Sequence, residues 1–254
     1  MKFQTPTLIP YLTAGWPDEE GFLAAVRGVK KAGCELFEVG FPFSDPVADG
    51  PTVQKTSSQA LARGVGLEES LTLTAKATSQ TGLPAVVMTY ANMVFFPGVE
   101  VFCRRIAEAG AQGLIVPDLP LEEAAELEKH CAAAGVELVQ MCAPTTPPER
   151  ARELGRHTRG FLYLVSVVGV TGARTELPTE LEGLIQRVKA ECQAPVCVGF
   201  GISTPAQAAR VAGLADGVVV GSALLRHIES LDPGGIEAGV ADFLGQMRQA
   251  MVTV

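Results

Sequence analysis

LFEVGFPFSDPVADGP, residues 36–51, changes character halfway along. It opens as a run of Leu, Phe, Val and Gly broken by one charge, Glu38, and stops at Pro42. A short apolar run ending in Gly or Pro is how a strand buried on both faces of a parallel sheet reads. Beyond Pro42 the stretch is rich in Pro, Asp and Gly and reads as a loop. Seven more runs have the same form: TLIPYLTAG (7–15), PAVVMTYAN (84–92), GLIVPDLP (113–120), VELVQMCAP (136–144), FLYLVSVVG (161–169), APVCVGFG (194–201) and GVVVGSAL (217–224). Helical patterns separate them. EEGFLAAVRGVKKAG (19–33), VEVFCRRIAEAG (99–110) and LEEAAELEKHCAAAG (121–135) place apolar residues at helical spacing and close on a Gly. PAQAARVAGLA (205–215) starts after Ser203 and Thr204, either of which can cap it, with Pro205 in its first turn. Strands alternating with helices over 254 residues predict an α/β fold, a closed (β/α)8 TIM barrel. A doubly wound open sheet is the competitor, but no G-x-G-x-x-G follows the first strand. No linker or low-complexity tract interrupts the chain, so residues 1–254 read as one domain.

Composition narrows the function classes. Apolar residues are 47% of the chain, enough for a large core, and the formal net charge is −8. No Lys/Arg cluster stands out, which argues against nucleic acid or an anionic membrane as partner. The N-terminus lacks a long apolar segment and a cleavage site, and no stretch of about 18 apolar residues occurs. The six cysteines (34, 103, 131, 142, 192 and 197) form no C-x-x-C pair and sit mostly in apolar runs, as buried thiols of a cytoplasmic protein do. The three histidines, His130, His157 and His227, have no metal-ligand spacing, so no metal site is expected.

In a barrel, chemistry belongs to the C-terminal ends of the strands and the loops after them. Glu38 lies inside the second strand, just before that rim. A carboxylate among apolar groups has its pKa raised by desolvation and can exchange a proton near neutral pH. Asp49, beside Gly50 in the following loop, is expected to stay ionised, so the two carboxylates hold different roles. Glycine-rich turns follow the last three strands: GVTGA (169–173), GFGIS (199–203) and GSA (221–223). Such turns let backbone amides approach a phosphate, and ALLRHI (223–228) supplies a short helix of the kind that completes the site. NMVFFPG (92–98) puts Val94, Phe95 and Phe96 in an expected rim loop, either as a docking surface or folded back over the barrel mouth.

With these segments in view, the chain resembles the tryptophan synthase alpha subunit family. PYLTAGWPD, ELFEVGFPFSDPVADGPTVQ, MTYANMVF, VPDLP, GVTGA, GFGIS and GSA occur in family order, and SDP-x-ADGP is the most specific of them. The resemblance implies a lyase of tryptophan biosynthesis that cleaves indole-3-glycerol phosphate, by a reverse aldol, to indole and glyceraldehyde 3-phosphate. It implies Glu38 as proton shuttle and Asp49 as the carboxylate that holds the indole N–H. It implies Tyr11, Met88, Tyr163 and Phe200 in the indole pocket, and Gly172, Gly201, Gly221 and Ser222 at the phosphate. Thr171 would belong to a lid after strand 6. No cofactor is implied for this chain. The implied partner is a pyridoxal-phosphate beta subunit in an αββα tetramer, met through Asp45, Pro46, Asn92, Asp118 and Pro120. A stand-alone indole-releasing lyase, and a mainly allosteric subunit with little activity of its own, fit the same residues. Two features depart from the pattern. Only about six residues precede strand 1, so the usual extra N-terminal helix is expected to be lacking, which means a shortened chain or another segment plugging the base. Val167 stands where some relatives have Arg.

Overall fold

The computed structural model describes residues 1, 4–165, 180–199 and 201–252. Eight parallel strands close into a barrel in chain order: β1 (Thr7–Thr13), β2 (Phe37–Gly40), β3 (Ala85–Met88), β4 (Ala111–Ile115), β5 (Glu137–Cys142), β6 (Leu162–Val165), β7 (Val196–Gly199) and β8 (Gly217–Val220). β8 pairs back onto β1, with Thr7 opposite Gly217 and Ile9 opposite Val219. Closure leaves the sheet without an edge. The open-sheet alternative is thereby excluded.

Helices surround the barrel: α1 (Glu19–Lys31), α2 (Pro51–Ala62), α3 (Leu67–Thr81), α4 (Ala91–Phe95), α5 (Val99–Glu108), α6 (Ala125–Ala134), α7 (Pro148–His157), α8 (Leu181–Glu191), α9 (Pro205–Ala212), α10 (Ser222–Glu229) and α11 (Ile236–Val252). Their ends follow local chemistry. Asp18 caps α1 by accepting from the Gly21 amide at 2.7 Å, and Gly33 and Gly135 turn the chain away after α1 and α6 with positive φ. At α9 the cap is Thr204, whose hydroxyl accepts from the Gln207 amide. The segment 121–135 is not one helix. Its first turn tightens into a 3-10 turn (Leu121–Glu123), where the Ala124 amide bonds three residues back to Leu121, and α6 starts after it.

The core is continuous from the barrel interior to the layer between strands and helices. Phe22, Phe37, Phe102 and Phe161 are fully buried there, each side chain contributing about 1.5–3 kcal/mol through lost water contact. α11 packs between α1 and α9, with Ile236, Val240, Leu244, Met247 and Met251 forming its buried stripe.

At the N-terminal mouth of the barrel no helix precedes β1 among the described residues. Met1 occupies that end. Its methyl group lies against Gly113 and Gly160, and its ammonium group is 2.8 Å from the Glu137 carboxylate. The opposite mouth, at the strand C-termini, is open, and the loops bearing the candidate residues gather there.

Candidate active site

Strand pairing sets the floor of the site. Tyr11 on β1 is level with Glu38 on β2, and Thr13 with Gly40. On the other side Glu38 is level with Val86 and Gly40 with Met88 of β3. Side chains two apart on a strand share a face. The Tyr11 ring therefore extends over Gly40, where a Cβ would stand 2.0 Å from its hydroxyl oxygen. Tyr163 on β6 has the same arrangement with Gly199 on β7, at 2.2 Å. Two glycines thus make room for two tyrosine rings across the barrel, leaving an apolar cavity between them. Tyr11, Glu38, Met88, Tyr163, Val53, Ile202 and Val219 line it.

Glu38 is 1% exposed, and one of its carboxyl oxygens has no hydrogen-bond partner among the described residues. No cation among the described residues pairs with it, so the ordinary explanation of a buried carboxylate, a paired structural charge, finds no support there. Burial, and secondarily the charge of Asp49, raise its pKa to about 8. Asp49 is also enclosed, at 9% exposed, rather than in the open polar loop its surroundings in sequence suggest. Burial raises its pKa to about 6, opposed by a hydrogen bond from the Tyr90 hydroxyl. At pH 7 the pair is therefore one protonated acid beside one carboxylate, although both are enclosed and the loop carboxylate sits closer to neutrality than a solvated one.

Tyr90 has no place among the sequence-derived candidates, yet it braces Asp49. Its oxygen accepts the Ala48 amide at 3.2 Å, and its ring stacks on Phe43 with centroids 5.1 Å apart. Gln54 adds a bond from its side-chain amide to the Asp49 carbonyl at 2.8 Å.

The other end of the cavity is polar. Gly201, Ser203, Gly221, Ser222 and Arg226 line it. Gly201 has φ +85°, which favours glycine, and Gly221 leads into α10, whose first turn has no side-chain cap. Free amides at a helix start suit an anion. Thr171, Gly172, Phe200 and Val167 lie outside the described residues.

The expected docking residues follow β2, β3 and β4, which are neighbours in the barrel. Asp45 accepts from the Ser44 hydroxyl at 2.6 Å, and Pro46 lies beside it. NMVFFPG is not a loop throughout. Asn92 belongs to α4, whose first amide, at Ala91, is held by Asp118 at 2.9 Å; Pro120 leads into the 3-10 turn. Of its apolar residues Val94 is buried, while Phe95 is partly exposed and Phe96 is 87% exposed, close to Val47 in exposure. Val94 thus folds back onto the barrel, while Phe95 and Phe96 face solvent.

His157 meets Glu128 on the outer surface, and His227 stacks on Phe243. Among the described residues no three His, Cys, Asp or Glu side chains converge as metal ligands.

The profile of one protein family, described as Tryptophan synthase alpha chain, matches residues 1–252. The chain belongs to the tryptophan synthase alpha chain family. It is 42% identical to the tryptophan synthase alpha chain of Microcystis aeruginosa over 245 residues, covering 96% of this chain and 93% of that one. The solved tryptophan synthase subunit alpha of Legionella pneumophila superposes with a TM-score of 0.88 at 36% identity, covering 98% and 94% of the two chains. A chain of the Mycobacterium tuberculosis tryptophan synthase gives 0.88 at 38% identity, covering 97% and 93%. As a tryptophan synthase alpha chain the protein is a lyase of tryptophan biosynthesis, and its family's alpha chain works without a cofactor of its own.

Proposed function

We propose that the cavity cleaves indole-3-glycerol phosphate to indole and glyceraldehyde 3-phosphate, with Glu38 moving the protons and Asp49 holding the ring nitrogen. The observation that carries this reading is a neutral buried acid and a charged carboxylate facing one apolar cavity with a polar end. Protonated Glu38 gives its proton to C3 of the indole ring, leaving positive charge on the ring nitrogen. Asp49 accepts the N–H and stabilises that charge. The side-chain hydroxyl then loses its proton to the Glu38 carboxylate, the carbon–carbon bond at C3 breaks, and its electron pair restores the aromatic ring. The hydroxyl carbon leaves as an aldehyde. Glu38 ends protonated, so the cycle consumes no external acid or base.

Of the remaining assignments, those of Tyr11, Met88, Tyr163, Gly201, Gly221 and Ser222 rest on the same cavity, and the others on membership of the family. Tyr11, Met88, Tyr163 and Phe200 hold the indole; Gly172, Gly201, Gly221 and Ser222 hold the phosphate; Thr171 belongs to the lid. The rim residues Asp45, Pro46, Asn92, Asp118 and Pro120 meet a beta subunit in an αββα assembly. That subunit carries pyridoxal phosphate and consumes the indole. The six cysteines are free and buried, which fits a reducing cytoplasm.

The test is indole release by the purified protein, with and without an added beta subunit, for the native chain and two isosteric variants. Glu38→Gln removes the proton carrier and is expected to lower cleavage at least about a hundredfold. Asp49→Asn removes the stabilising charge and is expected to cause a similarly severe loss. Near-normal rates in either variant would remove that residue from the mechanism. Fast release indifferent to the partner would identify a stand-alone lyase.

A further inference from the structure

Arg226 is the cation on the wall of this cavity. It lies one turn into α10, four residues after Ser222, so the two share a helix face. Helical side chains lean toward the N-terminus of their helix. The guanidinium accordingly reaches back beside Ser222 to the polar end of the cavity, where it forms the wall with Gly201, Ser203 and Gly221. On its far side is α2: Arg226 Nη1 donates to the Thr52 hydroxyl at 3.4 Å, a long bond at the limit of useful geometry. The group thus stands between the first turns of α2 and α10, neither of which has a side-chain cap.

Its charge is not answered by any acid among the described residues. No carboxylate of the described residues lies within ion-pairing distance of Arg226, although the chain has 28 acidic against 20 basic residues. The acid nearest along α10, Glu229, is engaged by Lys55 one turn further along α2. The α2–α10 contact therefore has an ion pair away from the cavity and an unanswered cation beside it. Glu38 and Asp49 are not its partners either. A half-buried guanidinium whose one contact among the described residues is weak and neutral is poised for an incoming anion, and its planar fork suits phosphate.

We propose that Arg226 is a further substrate-binding residue, whose guanidinium takes a phosphate oxygen of the substrate and exchanges its contact with Thr52 for one with the ligand. It adds a full positive charge to a site whose other polar lining, among the described residues, is the backbone of Gly201 and Gly221 and the hydroxyls of Ser203 and Ser222. This inference rests on the proposed function, which places the phosphate at that end of the cavity.

Competitive inhibition of indole release tests it, with glycerol 3-phosphate as the charged probe and indole as the uncharged one. For Arg226→Gln the inhibition constant of glycerol 3-phosphate is expected to rise about ten- to a hundredfold, while that of indole stays within about twofold. KM for indole-3-glycerol phosphate rises with little change in kcat, and Arg226→Lys recovers part of the loss. Thr52→Val separates binding from bracing: it removes the tether and keeps the guanidinium, so glycerol 3-phosphate binds as well as to the native chain or better. Equal glycerol 3-phosphate binding by Arg226→Gln overturns the proposal. So does an equal loss of both probes, or a loss in Thr52→Val matching that in Arg226→Gln, since either makes Arg226 a strut between α2 and α10. Failure of the native chain to cleave the substrate or bind glycerol 3-phosphate is a different result, and it overturns the proposed function itself.

Discussion

At the scale of single residues the site is a contrast between two carboxyl groups. Burial, and secondarily the charge of Asp49, raises the Glu38 pKa to about 8, and burial partly offset by the Tyr90 hydroxyl raises that of Asp49 to about 6. The proposed mechanism needs Glu38 protonated and Asp49 charged, so kcat/KM is expected to fall on both sides of a maximum between about 6 and 8. Tyr90→Phe withdraws the donor that favours the charged Asp49. The acid limb of the profile then moves to higher pH, and an unmoved limb would mean that Tyr90 does not tune Asp49. The same burial costs stability. Between pH 4.5 and about 8 the folded chain holds a proton on Glu38 that the unfolded chain has released. Stability from this group is therefore lost as pH rises through that window. Glu38→Gln is expected to melt above the native chain at pH 9, by an amount on the order of a few kcal/mol, and to match it near pH 4. A constant difference at both pH values would locate the effect in packing instead. Glu38 was legible in sequence because a lone acid in a strand-like run is conspicuous. Tyr90 was not, because nothing local ties it to Asp49; only the closing of β2 against β3 brings them together.

At the scale of elements, the legible features were those with local causes. The buried strands announced themselves as apolar runs, and α1, α5 and α9 by spacing and end signals. α4 was hidden, since five residues are too few for a periodic pattern and its first turn is held by Asp118 from the next loop. The contact of α1 with α11 was equally hidden. Gly28 in the middle of α1 looks like a defect in a helix. In the fold it is where α11 comes closest: a Cβ there would stand 2.6 Å from the Glu237 carbonyl oxygen and 2.8 Å from the Val240 Cβ. Arg27 bonds the Glu237 carboxylate at 2.7 Å and Lys31 also pairs with it, fixing the two helices at this separation. Gly28→Ala improves helix propensity but forces the helices apart. Chemical denaturation is expected to show a loss of about 1–3 kcal/mol. A gain would mean that α11 shifts freely on α1.

At the scale of the whole molecule, closure of the barrel divides labour between its two ends and around its rim. Met1 packs at the N-terminal mouth, while the C-terminal mouth carries both carboxylates. Around that mouth the polar end of the cavity comes from the loops after β7 and β8, and the exposed apolar residues come from the loops after β2 and β3. The proposed phosphate site and the proposed docking surface therefore occupy different arcs. The link between the arcs is short. α4 carries Phe95 toward solvent, its N-terminal neighbour Tyr90 touches Asp49, and Val47 is two residues from Asp49 on the other side. A partner seated on Val47, Phe95 and Phe96 would press on the two segments that hold Asp49. Phe96→Asp changes a side chain that packs against little, so folding and unassisted cleavage are expected to stay within about twofold of the native chain. Stimulation by an added beta subunit is expected to be lost, because a charge would be buried unpaired in the contact. Titrating the beta subunit against indole release separates the outcomes. A variant stimulated as strongly, at the same subunit concentration, would put the docking surface elsewhere on the rim. A variant that binds the partner normally but is no longer stimulated would assign α4 to transmission rather than to docking.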